Sequence, residues 1–219
     1  MLFKDRVDAG RQLAAALAEF KGHDCVVLAL PRGGVPVAAE VARALNAPLD
    51  LLLVRKIGAP RQPELAIGSV TDGEAPMIVR DEELIGLTGT SPHHFDRICA
   101  EELAEIERRR ALYVGKQPPV PVAGRIAIIV DDGLATGNTM RVALRSVRLR
   151  KPQMVVMAVP VAPPGTAEAF RKDADRVVCL ATPHPFGAVG YFYDDFSPTS
   201  DEEVIALMAK ARTAMAGIS

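Results

Sequence analysis

Ile126–Thr139 reads IAIIVDDGLATGNT. Its first five residues, Ile126, Ala127, Ile128, Ile129 and Val130, form an unbroken apolar run, the pattern of a strand buried on both faces of a parallel sheet. The run stops at two carboxylates, Asp131 and Asp132. Small and hydroxyl residues follow (Gly133, Ala135, Thr136, Gly137, Asn138, Thr139), and Met140–Arg150 is helix-compatible. Strand, acid pair, small-residue loop and helix N-terminus in this order describe a phosphosugar site. Loop amides and the helix dipole hold a phosphate. Threonine hydroxyls add donors, and carboxylates accept hydrogen bonds from sugar hydroxyls.

Outward from this stretch, strand and helix patterns alternate. Arg6–Phe20 has Leu13, Ala16, Leu17 and Phe20 at helical spacing. Asp24–Leu30 reads as a buried strand, Pro31–Gly34 as a loop and Val35–Leu45 as an Ala-rich helix. Leu49–Lys56 (LDLLLVRK) reads as a second buried strand. Beyond the central motif come a strand at Met154–Val161, a helix at Gly165–Arg171, a short strand at Arg176–Leu180 and a closing helix at Asp201–Ala216. Ser200 caps this last helix, with Glu203 at the capping-box position. Repeated strand–helix units imply an α/β, Rossmann-like parallel sheet flanked by helices. We expect residues 1–219 to form a single domain.

Composition agrees. Of 219 residues 49% are hydrophobic, and the formal charge of −1 gives no electrostatic case for a nucleic-acid partner. Cys25, Cys99 and Cys179 lack CxxC or Cys/His ligand spacing and read as small core residues of a reducing compartment. No apolar run has the length of a membrane span, and Met1–Phe20 has no signal-peptide core. The expected location is the cytoplasm.

The central motif resembles the phosphoribosyl pyrophosphate (PRPP) signature of type I phosphoribosyltransferases: four apolar residues, two acids, two mostly apolar residues and a small/hydroxyl loop ending in Thr. The resemblance implies that Asp131 and Asp132 hold the ribose hydroxyls and that Ala135, Thr136, Gly137, Asn138 and Thr139 bind the 5-phosphate. Gly133 departs from the branched apolar residue usual there, which loosens the turn and removes no ligand. Pro31-Arg32-Gly33-Gly34 matches the family's pyrophosphate loop. Its glycines let backbone approach a ligand, and Arg32 supplies a cation with bidentate geometry. Arg55 and Lys56, at the end of the second strand, are expected at the carboxyl edge of the sheet. Strand alternation lets only one face the site, with Lys56 the closer to the loop.

The segment between strands, about 57–120, is expected to hold the family's mobile flap and a helical insertion. Residues 57–76 (IGAPRQPELAIGSVTDGEAP) read either as that flap, with Arg61 and Glu64 in it, or as a surface hairpin with Leu65–Val70 as one strand. Ser91 and Pro92 start a helix running to Tyr113, with Phe95, Cys99, Leu103, Ile106 and Tyr113 on its apolar face. Arg108–Arg110 reads as a solvated helix end, and Glu105 pairs with Arg109 four residues on. Adjacent His93 and His94 diverge and lack a third metal ligand. Arg141, Arg145 and Arg148 line one helix face, either solvated or in a subunit contact.

Residues 182–200 concentrate aromatics: Phe186, Tyr191, Phe192, Tyr193 and Phe196. They read as the hood that receives the acceptor, Phe186 and Tyr191 above all, or as an aromatic minicore joining this tail to the sheet. The resemblance implies displacement of pyrophosphate from PRPP by a nitrogen nucleophile. Its substrates are PRPP and a nucleobase-like acceptor, a purine being one candidate, and Mg2+ is the cofactor; no direct metal ligand is assigned. It also implies a homodimer. The alternative is a PRPP-sensing regulator of nucleotide metabolism that performs no transfer. A phosphatase or phosphosugar isomerase reading lacks a nucleophile motif beside the loop.

Overall fold

The computed structural model describes residues 2–73 and 76–216. Five strands form the main sheet: β1 (Cys25–Ala29), β2 (Leu49–Leu51), β6 (Ile126–Val130), β7 (Met154–Val161) and β8 (Arg176–Ala181). Their order is β2-β1-β6-β7-β8, and every neighbouring pair is parallel. Each residue of β1 and β6 is buried, as expected for strands with helices on both faces. Val27, Ala29, Ile128 and Val130 face one core, shared with α1 (Arg6–Ala16), α2 (Gly34–Leu45) and α7 (Asp201–Ala216). Val26, Leu28, Ala127 and Ile129 face the other, formed with α5 (Asn138–Leu149) and α6 (Thr166–Phe170). Ser200 Oγ accepts a hydrogen bond from Glu203 N at the start of α7.

The expected strand Leu49–Lys56 is divided. Only Leu49–Leu51 pairs with β1; the chain then leaves the sheet and resumes at β3 (Val54–Ala59). With β4 (Gln62–Thr71) and β5 (Met77–Arg80), β3 forms a separate antiparallel sheet. Arg55 and Lys56 therefore lie on this side sheet, not at the carboxyl edge of the main one. The expected strand Leu65–Val70 lies within β4. Glu74 and Ala75 of the flap stretch lie outside the described residues.

Two helices complete the insertion, α3 (Glu82–Thr88) and α4 (Pro92–Val114). Ser91 Oγ accepts from His94 N and Pro92 occupies the first turn of α4, as its sequence implied. The expectation of a solvated Arg108–Arg110 end is corrected at Arg110. Its Nη1 lies 2.8 Å from Asp72 Oδ2 and its Nη2 3.0 Å from both oxygens of Asp50. These side chains are 13%, 4% and 4% exposed. Asp50 also accepts from Val120 N, and Asp72 from Leu53 N. Arg150, directly after α5, donates to the Asp72 carbonyl. This knot binds α4, the end of β4, the chain beside β2 and the end of α5 together. Along α5, Arg141 and Arg145 pair with Asp173, and Arg148 with Asp175. Among the described residues no helix is long and apolar enough to cross a membrane.

Candidate active site

Adjacent strands β1 and β6 end side by side, and their chains then diverge. The β1 chain runs through α2 to β2 and the β6 chain through α5 to β7, which opens a crevice at the carboxyl edge. The two loops singled out from sequence meet there. The Pro31–Arg32 peptide is cis. A Cβ placed on Gly33 would stand 2.1 Å from Asp132 Oδ2, and one on Gly34 2.8 Å from the Val130 carbonyl. Only glycine permits this approach of backbone to carboxylate.

Asp131 Oδ1 accepts a hydrogen bond from Asp132 N at 2.9 Å. Burial, and then the Asp132 charge, push the Asp131 carboxyl well above its ordinary value of 3.8. Burial also raises Asp132, against the lowering effect of Arg6. Arg6 was not picked out from sequence. Its Nε donates to Asp132 Oδ2 at 2.8 Å and its Nη1 to the Ser197 carbonyl at 2.7 Å, while its guanidinium lies 3.9 Å from the Phe196 ring centre. The only signal for it was chemical, since a half-buried acid pair calls for a cation.

Past the acids, Leu134 N donates to the Val161 carbonyl. Gly137 has φ 73°, and a Cβ there would meet the Phe170 ring at 2.7 Å, so glycine is required at the N-cap of α5. Asn138 and Thr139 open the helix, where amides lack a carbonyl one turn back. Ala135, Thr136, Asn138 and Thr139 are exposed. The exposed loop and the free amides of the helix start make an open cradle of the kind that suits an anion.

The cations are dispersed. Arg32 Nη1 lies 3.5 Å from Asp201 Oδ1 at the start of α7, and Tyr113 OH donates to the same oxygen at 2.7 Å. Lys56 Nζ pairs with exposed Glu64 at 2.7 Å, and Arg55 Nε with Glu102 at 2.6 Å. Between the side sheet, α4 and the loop before α5 lies a cleft of about 900 Å³ whose lining includes Lys56, Thr136, Asn138 and Thr139.

The hood aromatics form a minicore with the N-terminal segment. Tyr193 is buried between Phe3 and Phe196, at ring distances of 5.2 and 5.0 Å. Its OH donates to the Asp132 carbonyl at 2.6 Å. Phe186 packs on Phe192 at 5.2 Å, whereas Tyr191 is 69% exposed.

A helix-flanked parallel sheet whose carboxyl edge joins an acid pair, a glycine loop and a helix N-terminus is the α/β fold of type I phosphoribosyltransferases. Comparison with known proteins agrees: the phosphoribosyl transferase domain matches residues 3–195, and the chain belongs to that family. It is 48% identical over 210 residues to proteins of Mycobacterium tuberculosis strains CDC 1551 / Oshkosh and ATCC 25618 / H37Rv, each named "Putative phosphoribosyl transferase". These alignments cover 96% of this chain and 47% of each relative, so the chain spans about half the length of the curated relatives it matches. The crystal structure of TT1426 from Thermus thermophilus is 42% identical with a TM-score of 0.82, covering 96% of this chain and 99% of that one.

Proposed function

We propose that the protein transfers the phosphoribosyl group of PRPP to a nitrogen nucleophile, a nucleobase such as a purine, and releases pyrophosphate. The observation that supports this most is the contact of Gly33 with Asp132. It joins the loop suited to pyrophosphate to the acid suited to ribose, so one ligand carrying both groups spans them. Asp131 and Asp132 accept from the ribose hydroxyls. Ala135, Thr136, Gly137, Asn138 and Thr139 enclose the 5-phosphate. Gly33 and Gly34 let the pyrophosphate approach the backbone, with Arg32 and a cation of the Arg55–Lys56 pair beside it.

In the reaction the anomeric C–O bond to pyrophosphate breaks and a C–N bond forms. The leaving group keeps the electron pair, and one of the two carboxylates takes the proton of the nucleophile. The residues present suit Mg2+ carried by the substrate. Among the described residues no group of three or more His, Cys, Asp or Glu side chains could hold a metal, and Mg2+ commonly binds through substrate phosphates. Bound in this way it would neutralise charge on the departing pyrophosphate. Phe186 and exposed Tyr191 offer the acceptor flat surfaces in the hood.

One observation favours a second reading, PRPP sensing without transfer: Arg6 already occupies an oxygen of Asp132 and ties it to the hood. Calorimetric titration of PRPP with Mg2+ into wild type and Asp132→Asn tests the site. Weakening by about 1–3 kcal/mol supports it, and absence of binding to folded wild type removes it. Pyrophosphate release with a panel of bases then separates transfer from sensing.

A further inference from the structure

Beside the pyrophosphate loop is a small cavity of about 40 Å³ whose lining includes Pro31, Arg55, Arg109 and Thr139. In this measure a water molecule needs roughly 10–15 Å³, so the space accepts about three waters or the oxygens of one phosphate group. Two arginines from different elements, Arg55 from β3 and Arg109 from α4, are among its lining, beside apolar Leu30, Leu52, Leu53, Val54 and Ile106. Each is held by a single acid through Nε: Arg55 on Glu102 and Arg109 on Glu105, both at 2.6 Å. Among the described residues the terminal Nη groups of both arginines make no hydrogen bond. A guanidinium anchored at Nε keeps its outer fork for bidentate binding of phosphate. Arg32 of the glycine loop, itself 3.5 Å from Asp201, lies near the same region. Arg109 and Arg32 both act on Tyr113, where their charges oppose the upward shift of its hydroxyl caused by burial and Asp201.

We infer that Arg55 and Arg109 form a phosphate clamp that takes the outer phosphate of a diphosphate whose inner phosphate lies on the Arg32–Gly34 loop. The insertion thereby contributes to the site from α4, and Arg55 rather than Lys56 is the cation facing the leaving group. Assigning this diphosphate to PRPP rests on the function proposed above; the clamp itself requires only a diphosphate. Glu102 and Glu105 are positioning residues, aiming the forks without touching the ligand.

The test uses inorganic pyrophosphate and ribose 5-phosphate as separate calorimetric probes of the full chain. Arg109→Gln and Arg55→Gln should each weaken pyrophosphate binding about 10- to 100-fold and leave ribose 5-phosphate binding unchanged. Arg109→Lys, which keeps charge without the fork, should fall between. Thermal melting by circular dichroism checks folding; because the two arginines sit on different elements, either variant decides if the other fails to fold. Wild-type affinity for pyrophosphate in both Gln variants overturns the clamp. Ribose 5-phosphate binding without pyrophosphate binding by wild type also overturns it, and spares the 5-phosphate site. Pyrophosphate binding lost in the variants, with no ribose 5-phosphate binding by wild type, keeps the clamp and removes the PRPP reading.

Discussion

Arg6 Nε lies 2.8 Å from Asp132 Oδ2, across 126 positions of sequence, and it is the cation that offsets two half-buried neighbouring carboxyls. The first turn of α1 is thereby joined to the acid that ends β6, with the hood attached through Phe196 and Ser197.

The pair sets a pH dependence. Both carboxyls rise above their ordinary 3.8 on folding, so the native state keeps protons that the unfolded chain releases. Stability of this origin is complete below about pH 4 and declines as pH rises through the elevated values. Arg6→Gln removes the charge that lowers both values, so the decline should extend to higher pH. Urea midpoints of wild type and variant should diverge as pH rises above about 4; parallel curves would disprove the coupling.

The Arg108–Arg110 run should divide sharply under substitution. Arg110→Gln leaves Asp50 and Asp72 buried without their cation and should cost about 3–5 kcal/mol. Arg108→Gln touches an exposed pair with Glu105 and should leave the denaturation midpoint unmoved. Equal effects in the two variants would contradict the buried knot.

Gly33→Ala places a methyl group on Asp132 Oδ2. The carboxylate is held by Arg6 and has little room to yield, so a loss of about 1–3 kcal/mol is expected on unfolding. PRPP affinity should fall with it. An alanine variant with wild-type stability and affinity would show that the loop shifts freely.

Tyr193→Phe keeps the ring contacts with Phe3 and Phe196 and deletes the hydrogen bond to the Asp132 carbonyl. About 0.5–1.5 kcal/mol should be lost in chemical denaturation. A midpoint equal to wild type would mean that water replaces the hydroxyl.

The main sheet was legible because its central strands are buried on both faces and so appear as continuous apolar runs, as in Val26–Leu30 and Ile126–Val130. The same signal misled at Leu49–Lys56. Leu52 and Leu53 are as buried as strand residues yet lie in the bend between two sheets, so hydrophobicity alone does not mark the break. Asp50, an acid inside that run, was the available hint. Arg110 could have been placed inward, since it falls four residues after Ile106 and three before Tyr113 on the apolar face of α4. The two loops of the site were readable because glycine and acid spacing is local. Arg6 and the Arg55–Arg109 pairing were not, because chain folding alone brings such distant positions together.

Helix α5 begins at the loop Thr136–Gly137 and runs 12 residues, about 18 Å, to the Arg150 anchor on Asp72 at the base of the side sheet. Mechanically it is a strut pinned at both ends. It ties the loop Thr136–Thr139 to the end of β4, so the floor and the side wall of the cleft are set by one rigid element.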